Sequence, residues 1–248
     1  MSLEACADLV RRADPDRFLA AMAAPAAART VLFPVFAFNV EVARAPWVTA
    51  EPMIAEMRLQ WWRDALAEIA AGGPVRRHEV VDALAPVLDV EGARLLDALI
   101  EARRWDIGTE PFADQAAFAA HIQATSGNLL WAAARALGAG DAEAAVRGPA
   151  WAAGLANWLL AVPELEARGR IPLPDGRVQA VRALAAEGLS RLAARRAPVA
   201  ARPVLLATWR AGALLRQAHR HPERVAQGIL GQSEFSRRFS LLWRSFRT

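Results

Sequence analysis

Apolar residues recur along this chain at helical spacing, and no run of alternating β-branched residues marks a strand, so an all-α fold is expected. Asp14-Pro15 reads as a helix start, with the aspartate as N-cap and the proline at the first helical position. A short helical pattern precedes it, and Arg17–Ala24 follows as a short helix. Ala26–Val42 should form a longer one, broken or bent near Pro34. Pro46 ends that segment, Glu51-Pro52 opens the next as far as about Ala71, and Gly72-Gly73-Pro74 is a loop. Further helices are expected at His78–Leu84, Glu91–Ile107, Asp114–Leu137 and Asp141–Val162. After a turn at Gly169–Gly176 come Arg177–Arg196, Arg202–Arg220 and a last helix at about Ser233–Arg247. With no repeat, linker or low-complexity tract, residues 1–248 read as a single domain.

Composition sharpens this picture. There are 58 alanines among 248 residues, and alanine is the best intrinsic helix former. All 30 basic residues are arginine, and lysine and tyrosine are absent. The sequence pI of about 10.9 therefore reflects missing groups that titrate above neutrality, because the net charge is only +4. That charge gives no argument for nucleic acid. One cysteine, Cys6, excludes an internal disulfide and fits a reducing compartment. Acids interrupt the N-terminus, MSLEACADLVRRADPD, so it is not a secretory signal. Two segments without formal charge, Gln115–Ala134 and Gly148–Pro163, carry too many polar, glycine and proline residues for good spans. They read as helices buried in a bundle, in a protein that is soluble or peripheral and cytoplasmic.

The most informative stretch is Gly154–Pro174, GLANWLLAVPELEARGRIPLP. It resembles the second substrate-binding helix of the squalene/phytoene synthase family, which ends in a Gly-Arg-x-Tyr-Leu-Pro turn. Here the turn is Gly169-Arg170-Ile171-Pro172-Leu173-Pro174, and Asn157 matches the family's asparagine. The family's two metal-binding aspartates fall on Ala161 and Leu165, while Glu164 keeps one acid. Four more segments match in order: Asp14–Phe18 with Pro25 and Arg29; Phe36-Ala37-Phe38; Arg58–Leu66; and Ala98–Ile100 through Trp105–Ile107. The first aspartate motif should follow Phe38, where its acids fall on Ala43, Arg44 and Trp47. The resemblance implies a helical bundle of the isoprenoid synthase type around a central cavity.

Ionising an allylic diphosphate requires several charges on the leaving group to be neutralised. Mg²⁺ held by carboxylates one turn apart on two facing helices does this in the enzymes. Glu41 and Glu164 are the acids left here, one per helix. A non-catalytic branch, the complex I assembly factors related to phytoene synthase, looks similar in the same respect. It also carries Phe-Asn-x-Glu and Met-Arg-x-Gln-Trp/Phe-Trp, here Phe38-Asn39-Val40-Glu41 and Met57-Arg58-Leu59-Gln60-Trp61-Trp62. This resemblance implies a pseudoenzyme that helps assemble a membrane respiratory complex, with a subunit or assembly partner there and no cofactor. Its cavity could still take an isoprenoid ligand. The alternatives are a divergent Mg²⁺-dependent prenyl transferase with Glu41 and Glu164 as catalytic groups, and a lipid or quinone carrier.

Several side chains carry a sharp and a bland reading. Arg58 and Arg63 could grip an anion, or pair with Glu56, Asp64 or Glu68 on an exposed face. Asn39, Asn128 and Asn157 could line a ligand cavity or bridge helices, since an unpaired buried amide costs about 1–3 kcal/mol. Arg170 of the matching turn joins them as a ligand candidate. Trp61, Trp62, Trp105, Trp131, Trp151 and Trp158 could wall an apolar cavity or pack the core. His78-Glu79-Val80-Val81-Asp82 reads as a helix N-terminus, and His219-Arg220-His221 as a surface turn. Ser126-Gly127-Asn128 lacks the strand-turn context of a nucleophile elbow. At the C-terminus Phe235, Phe239, Leu242 and Phe246 recur at helical spacing, with Arg237, Arg238, Arg244 and Arg247 supplying positive charge. This basic amphipathic segment, 233–248, could lie on the inner face of a membrane, dock on a partner, or pack as a final bundle helix.

Overall fold

The computed structural model describes residues 2–49, 51–193, 197–233 and 241, and among them the chain is helical with no strand. Helix α1 (Ser2–Ala13) leads into α2 (Pro15–Ala23) through Asp14. The Asp14 carboxylate accepts the Arg17 backbone N–H at 3.0 Å and pairs with the Arg17 guanidinium at 2.6 Å, so the expected cap forms. Helix α3 (Ala26–Arg44) is the axis of the fold: every residue from 31 to 40 is buried. It runs unbroken through Pro34, where a break or a bend was expected. The carbonyl deprived of its donor belongs to Thr30, an exposed residue where water can serve it.

Around α3 stand α4 (Pro52–Ala71), α5 (Glu79–Leu84), α6 (Val90–Arg103) and α8 (Asn128–Ala136). Gly72 ends α4 in the left-handed conformation, φ 67°. His78 caps α5 by accepting the Val80 N–H at 3.2 Å, and Asp89 caps α6 through Gly92 at 2.6 Å. The second half of the bundle holds α7 (Gln115–Ile122), α9 (Glu143–Ala167), α10 (Val178–Leu192), α12 (Ala211–Arg220) and α13 (Glu223–Ala226).

Two helices expected to be continuous are interrupted. Between α7 and α8 the chain makes a π-turn over Gln123–Gly127. Thr125 Oγ1 donates to the His121 carbonyl and Ser126 Oγ to the Ala150 carbonyl, both at 2.8 Å. The expected Arg202–Arg220 helix divides into α11 (Arg202–Leu205), a 3₁₀ turn at Leu206–Thr208 and then α12. There Thr208 Oγ1 takes the Leu205 carbonyl at 2.8 Å, a side-chain bond that competes with the helical ladder. The predicted C-terminal helix, with Phe235, Arg238, Phe239, Leu242 and Phe246, lies outside the described residues. Of that segment Ser233 and Leu241 are described, and Leu241 is buried in the larger core.

Two apolar cores result. The larger gathers α1 to α6 and α8 around α3; the smaller joins Phe118 and Ile122 with α9, α10 and α12. Ala26–Trp47 is the one described stretch long and apolar enough to cross a membrane, and 67% of its apolar window is buried inside the bundle.

The halves meet where α9 crosses the π-turn, and Gly154 makes that approach possible. A Cβ on Gly154 would stand 2.5 Å from Ser126 Cβ and 2.9 Å from Ile122 Cγ2. Gly154→Ala is therefore expected to lower stability by about 1–3 kcal/mol in urea unfolding, the usual range for overpacking. An unchanged midpoint would show that the helices can separate without loss.

Candidate functional site

A cavity of about 590 Å³ lies between the two cores. From α3 and the turn after it come Asn39, Val40, Ala43, Arg44 and Trp47; from α9 and its C-cap come Asn157, Ala161, Glu164, Leu165 and Arg168. The two segments that should carry the aspartate motifs thus share one cavity. All five aspartate positions, Ala43, Arg44, Trp47, Ala161 and Leu165, are on its wall. Arg44 pairs with Glu41 at 2.7 Å and Arg168 with Glu164 at 2.8 Å. The Arg168 guanidinium also stacks over the Trp47 ring at 4.7 Å. Among the described residues no group of three or more His, Cys, Asp or Glu side chains could hold a metal ion.

Three further ion pairs line the same space. Arg17 meets Asp14, Arg103 meets Asp106 at 3.1 Å, and Arg210 meets Asp16. Burial pushes the Asp106 carboxyl above the usual carboxylate range, against the pull of Arg103 and Arg170. Ile122, Ala153, Trp158 and Trp209 make the apolar part of the wall. The arginines on the cavity wall are matched to carboxylates of the chain itself. Sequence reasoning missed Asp16, Arg103 and Arg210 as a group, because Asp16 and Arg210 meet only through the tertiary fold. Their one signal was that Asp14–Phe18 and Trp105–Ile107 stood among the matching segments.

The candidates named from sequence divide between cavity and scaffold. Asn39 is buried on the cavity wall and Asn157 lies opposite on α9. Asn128 is buried elsewhere, and its Oδ1 accepts from Arg147 Nη1 at 2.9 Å, which ties α8 to α9. Arg63 clamps α4 to α6: Nε and Nη2 reach the Asp97 carboxylate at 2.7 and 3.1 Å, and Nη1 reaches Glu101 at 3.1 Å. These partners differ from the acids expected on its own helix. Arg170 is buried; Nη1 donates to the Asp106 carbonyl at 3.0 Å, Nη2 to the Trp105 carbonyl, and its plane lies 4.2 Å from the Trp105 ring centre. Arg63 and Arg170 are thus committed to the scaffold.

Glu41 and Glu164 do not converge. Glu164 lines the main cavity, whereas Glu41 lines a second pocket of about 230 Å³ with Ala45, Arg58, Trp61, Trp62 and His78. Of the tryptophans, Trp158 walls the main cavity and Trp61 and Trp62 the second. Trp131 and Trp151 are core, with Trp151 Nε1 donating to the Ala119 carbonyl at 3.0 Å. Cys6 is buried, and its thiol is pushed up to about 11, chiefly by desolvation.

Comparison with known proteins agrees with this architecture. A family model described as squalene/phytoene synthase matches residues 10–244. The fold is similar to that of a dehydrosqualene synthase solved with a ligand, TM-score 0.72 at 14% identity, covering 99% of this chain and 96% of that one. It is similar too to squalene synthase HpnC from Alicyclobacillus acidocaldarius, TM-score 0.71 at 19% identity, covering 92% and 94%. This chain belongs to the squalene/phytoene synthase family. In sequence it is similar to NADH dehydrogenase (ubiquinone) complex I, assembly factor 6: 26% identical over 183 residues to the Bos taurus protein and 25% over 172 to that of Homo sapiens. Each match takes in 68% of this chain and 52% of the relative, so the chain spans about half the length of these relatives.

Beside the cavity His121 is buried against Trp105, Phe112 and Trp158, with ring centres 5.1–5.7 Å away and Nε2 unpartnered. Desolvation first, then the charge of Arg103, lowers its pKa to about 3. An unfolded histidine titrates near 6.5, so below that pH the unfolded state takes the proton and the folded state does not. Stability from this residue is complete above pH 6.5 and falls toward pH 3, by up to about 1.4 kcal/mol per pH unit. Asp106, raised by burial, acts in the opposite sense and shallows the total slope. His121→Phe is expected to flatten the acid limb of stability against pH relative to wild type. Parallel curves in urea titrations from pH 7 to 4 would contradict the buried neutral imidazole.

Proposed function

We propose that this chain is a non-catalytic family member that acts as an assembly or accessory factor for a membrane respiratory complex of the complex I type. The observation that carries this reading is the makeup of the cavity wall. At the five positions where the family's enzymes hold aspartates stand one alanine and one leucine on α9, and alanine, arginine and tryptophan on the α3 side. Mg²⁺ needs oxygen ligands, and an arginine beside its seat repels it. Glu41 and Glu164, in separate pockets and each paired with an arginine, leave no two-sided clamp for a diphosphate. The similarity to the complex I assembly factors supports the second half of the reading.

The cavity itself persists, so an isoprenoid or quinone-like molecule could occupy it without a metal. The proposed place of action is the inner face of the membrane, where the basic amphipathic pattern of 233–248 suits a peripheral contact. Deleting the gene is expected to reduce NADH:quinone oxidoreductase activity in membranes severalfold while succinate oxidation is unchanged. Purified protein with Mg²⁺ and farnesyl or geranylgeranyl diphosphate is expected to form no squalene- or phytoene-type product. Product formation, or a deletion strain with full complex I activity, would overturn the proposal.

A further inference from the structure

The second pocket has a feature that the main cavity lacks: unclaimed polar capacity beside exposed apolar surface. Glu41 comes from Phe38–Glu41, and Arg58, Trp61 and Trp62 come from Met57–Trp62. These are the two segments in which the chain resembles the assembly-factor branch, and Glu41 of the first meets Arg58, Trp61 and Trp62 of the second in this pocket, apart from the main cavity.

The pocket is preformed. The rings of Trp61, Trp62 and His78 stand mutually 4.9–5.3 Å apart in edge and tilted contacts. Arg76 braces the wall from behind: its plane lies 5.0 Å from the Trp61 ring centre, Nη1 donates to the Trp61 carbonyl, and Glu68 holds its other side. A wall fixed in this way loses little conformational freedom when it is covered.

The pocket continues onto an uncovered helix face. Met53, Met57 and Trp61 follow one another at four-residue spacing on α4, so they form one stripe. Met53 is 75% and Met57 66% exposed, and Ile54 on the same helix is exposed too. Exposed methionines next to a rigid aromatic pocket are a common composition for surfaces that receive a partner's apolar side chain. A pocket of about 230 Å³ suits one such side chain.

Charge selects the partner. Among the described residues Arg58 is exposed and makes no ion pair. Glu41 is neutralised by Arg44 at 2.7 Å. His78 Nδ1 accepts the Val80 N–H, which leaves the ring proton on Nε2. The available groups are therefore donors, a guanidinium and an imidazole N–H, awaiting an acceptor.

We propose that the α4 face from Met53 to Trp61, with the Glu41–Arg58–Trp61–Trp62–His78 pocket, docks an acidic amphipathic segment of a partner protein. An apolar side chain of that segment fills the pocket, and a neighbouring carboxylate pairs with Arg58. The inference deepens the assembly-factor reading and rests on it for where the partner is sought.

The test places a photo-crosslinking residue at Met57 of the full chain, expressed in its own cells, with a second chain labelled at exposed Arg94 on α6 as control. The adduct is mapped by mass spectrometry. Expected is a protein adduct at position 57, absent from position 94, on a segment with a carboxylate within one helical turn. Arg58→Glu should lower its yield at least tenfold, and exchanging the partner's acid for arginine should restore it. Only lipid adducts, no adduct, or an adduct indifferent to Arg58→Glu would overturn the proposal. NADH:quinone activity in the same cells separates the two claims. If deletion abolishes it and Arg58→Glu leaves it intact, the docking site falls and the assembly reading stands. If the Arg58-dependent adduct forms while deletion leaves the activity intact, the assembly reading falls and the docking site stands.

Discussion

A buried guanidinium holds the cavity together. Arg170 sits among apolar groups, where a charge without partners would be strongly destabilising. It finds two carbonyl acceptors, Trp105 and Asp106, and two indole faces, Trp105 at 4.2 Å and Trp47 at 5.6 Å. Each hydrogen bond from such a charged donor contributes about 1.5–3 kcal/mol. Burial still lowers the proton affinity of Arg170 below the ordinary arginine value, with Asp106 opposing. Through these contacts the turn after α9 is fixed to the turn after α6, and Trp47 is drawn over both. Of these pieces, Trp47 and Asp106 line the cavity.

This explains how the turn Gly169–Pro174 can match the family while neighbouring positions do not. In this chain Arg170 serves the scaffold, through the Trp105 and Asp106 carbonyls. Ala43, Ala161 and Leu165 face the cavity, although Leu165 also belongs to the smaller core. Fold and chemistry are carried by different residues within the same two segments. The second pocket lies on the other side of the same division. Its walls are anchored by Arg76 and the His78 cap, while its open groups, Arg58 and the methionine stripe, contribute little to holding the bundle.

Most of the fold was legible in the sequence because its signals were local. The Asp14 cap, the Gly72 stop and the period of α4 and α6 each depend on neighbours within one or two turns. The interruptions were not legible. The π-turn at Gln123–Gly127 is shaped by Gly154 from another helix, and the break before α12 by a hydroxyl choosing its own backbone. The segments of α3 and α9 that the family pattern singled out line one cavity. The commitments of Arg63 to Asp97 and of Arg170 to two carbonyls of a distant turn were not readable, since side-chain partners across helices leave no trace in spacing. For the same reason nothing in the sequence tied Glu41 to Trp61 and His78.

The central claim is that the cavity has no working diphosphate clamp. Calorimetric titration of the purified chain with farnesyl diphosphate, with and without Mg²⁺, tests it most directly. The account predicts the same weak or absent binding in both titrations, since among the described residues no group of three or more acidic, histidine or cysteine side chains is placed to hold the metal. Tight binding that appears only with Mg²⁺ would contradict it and return the chain to the enzymes of its family.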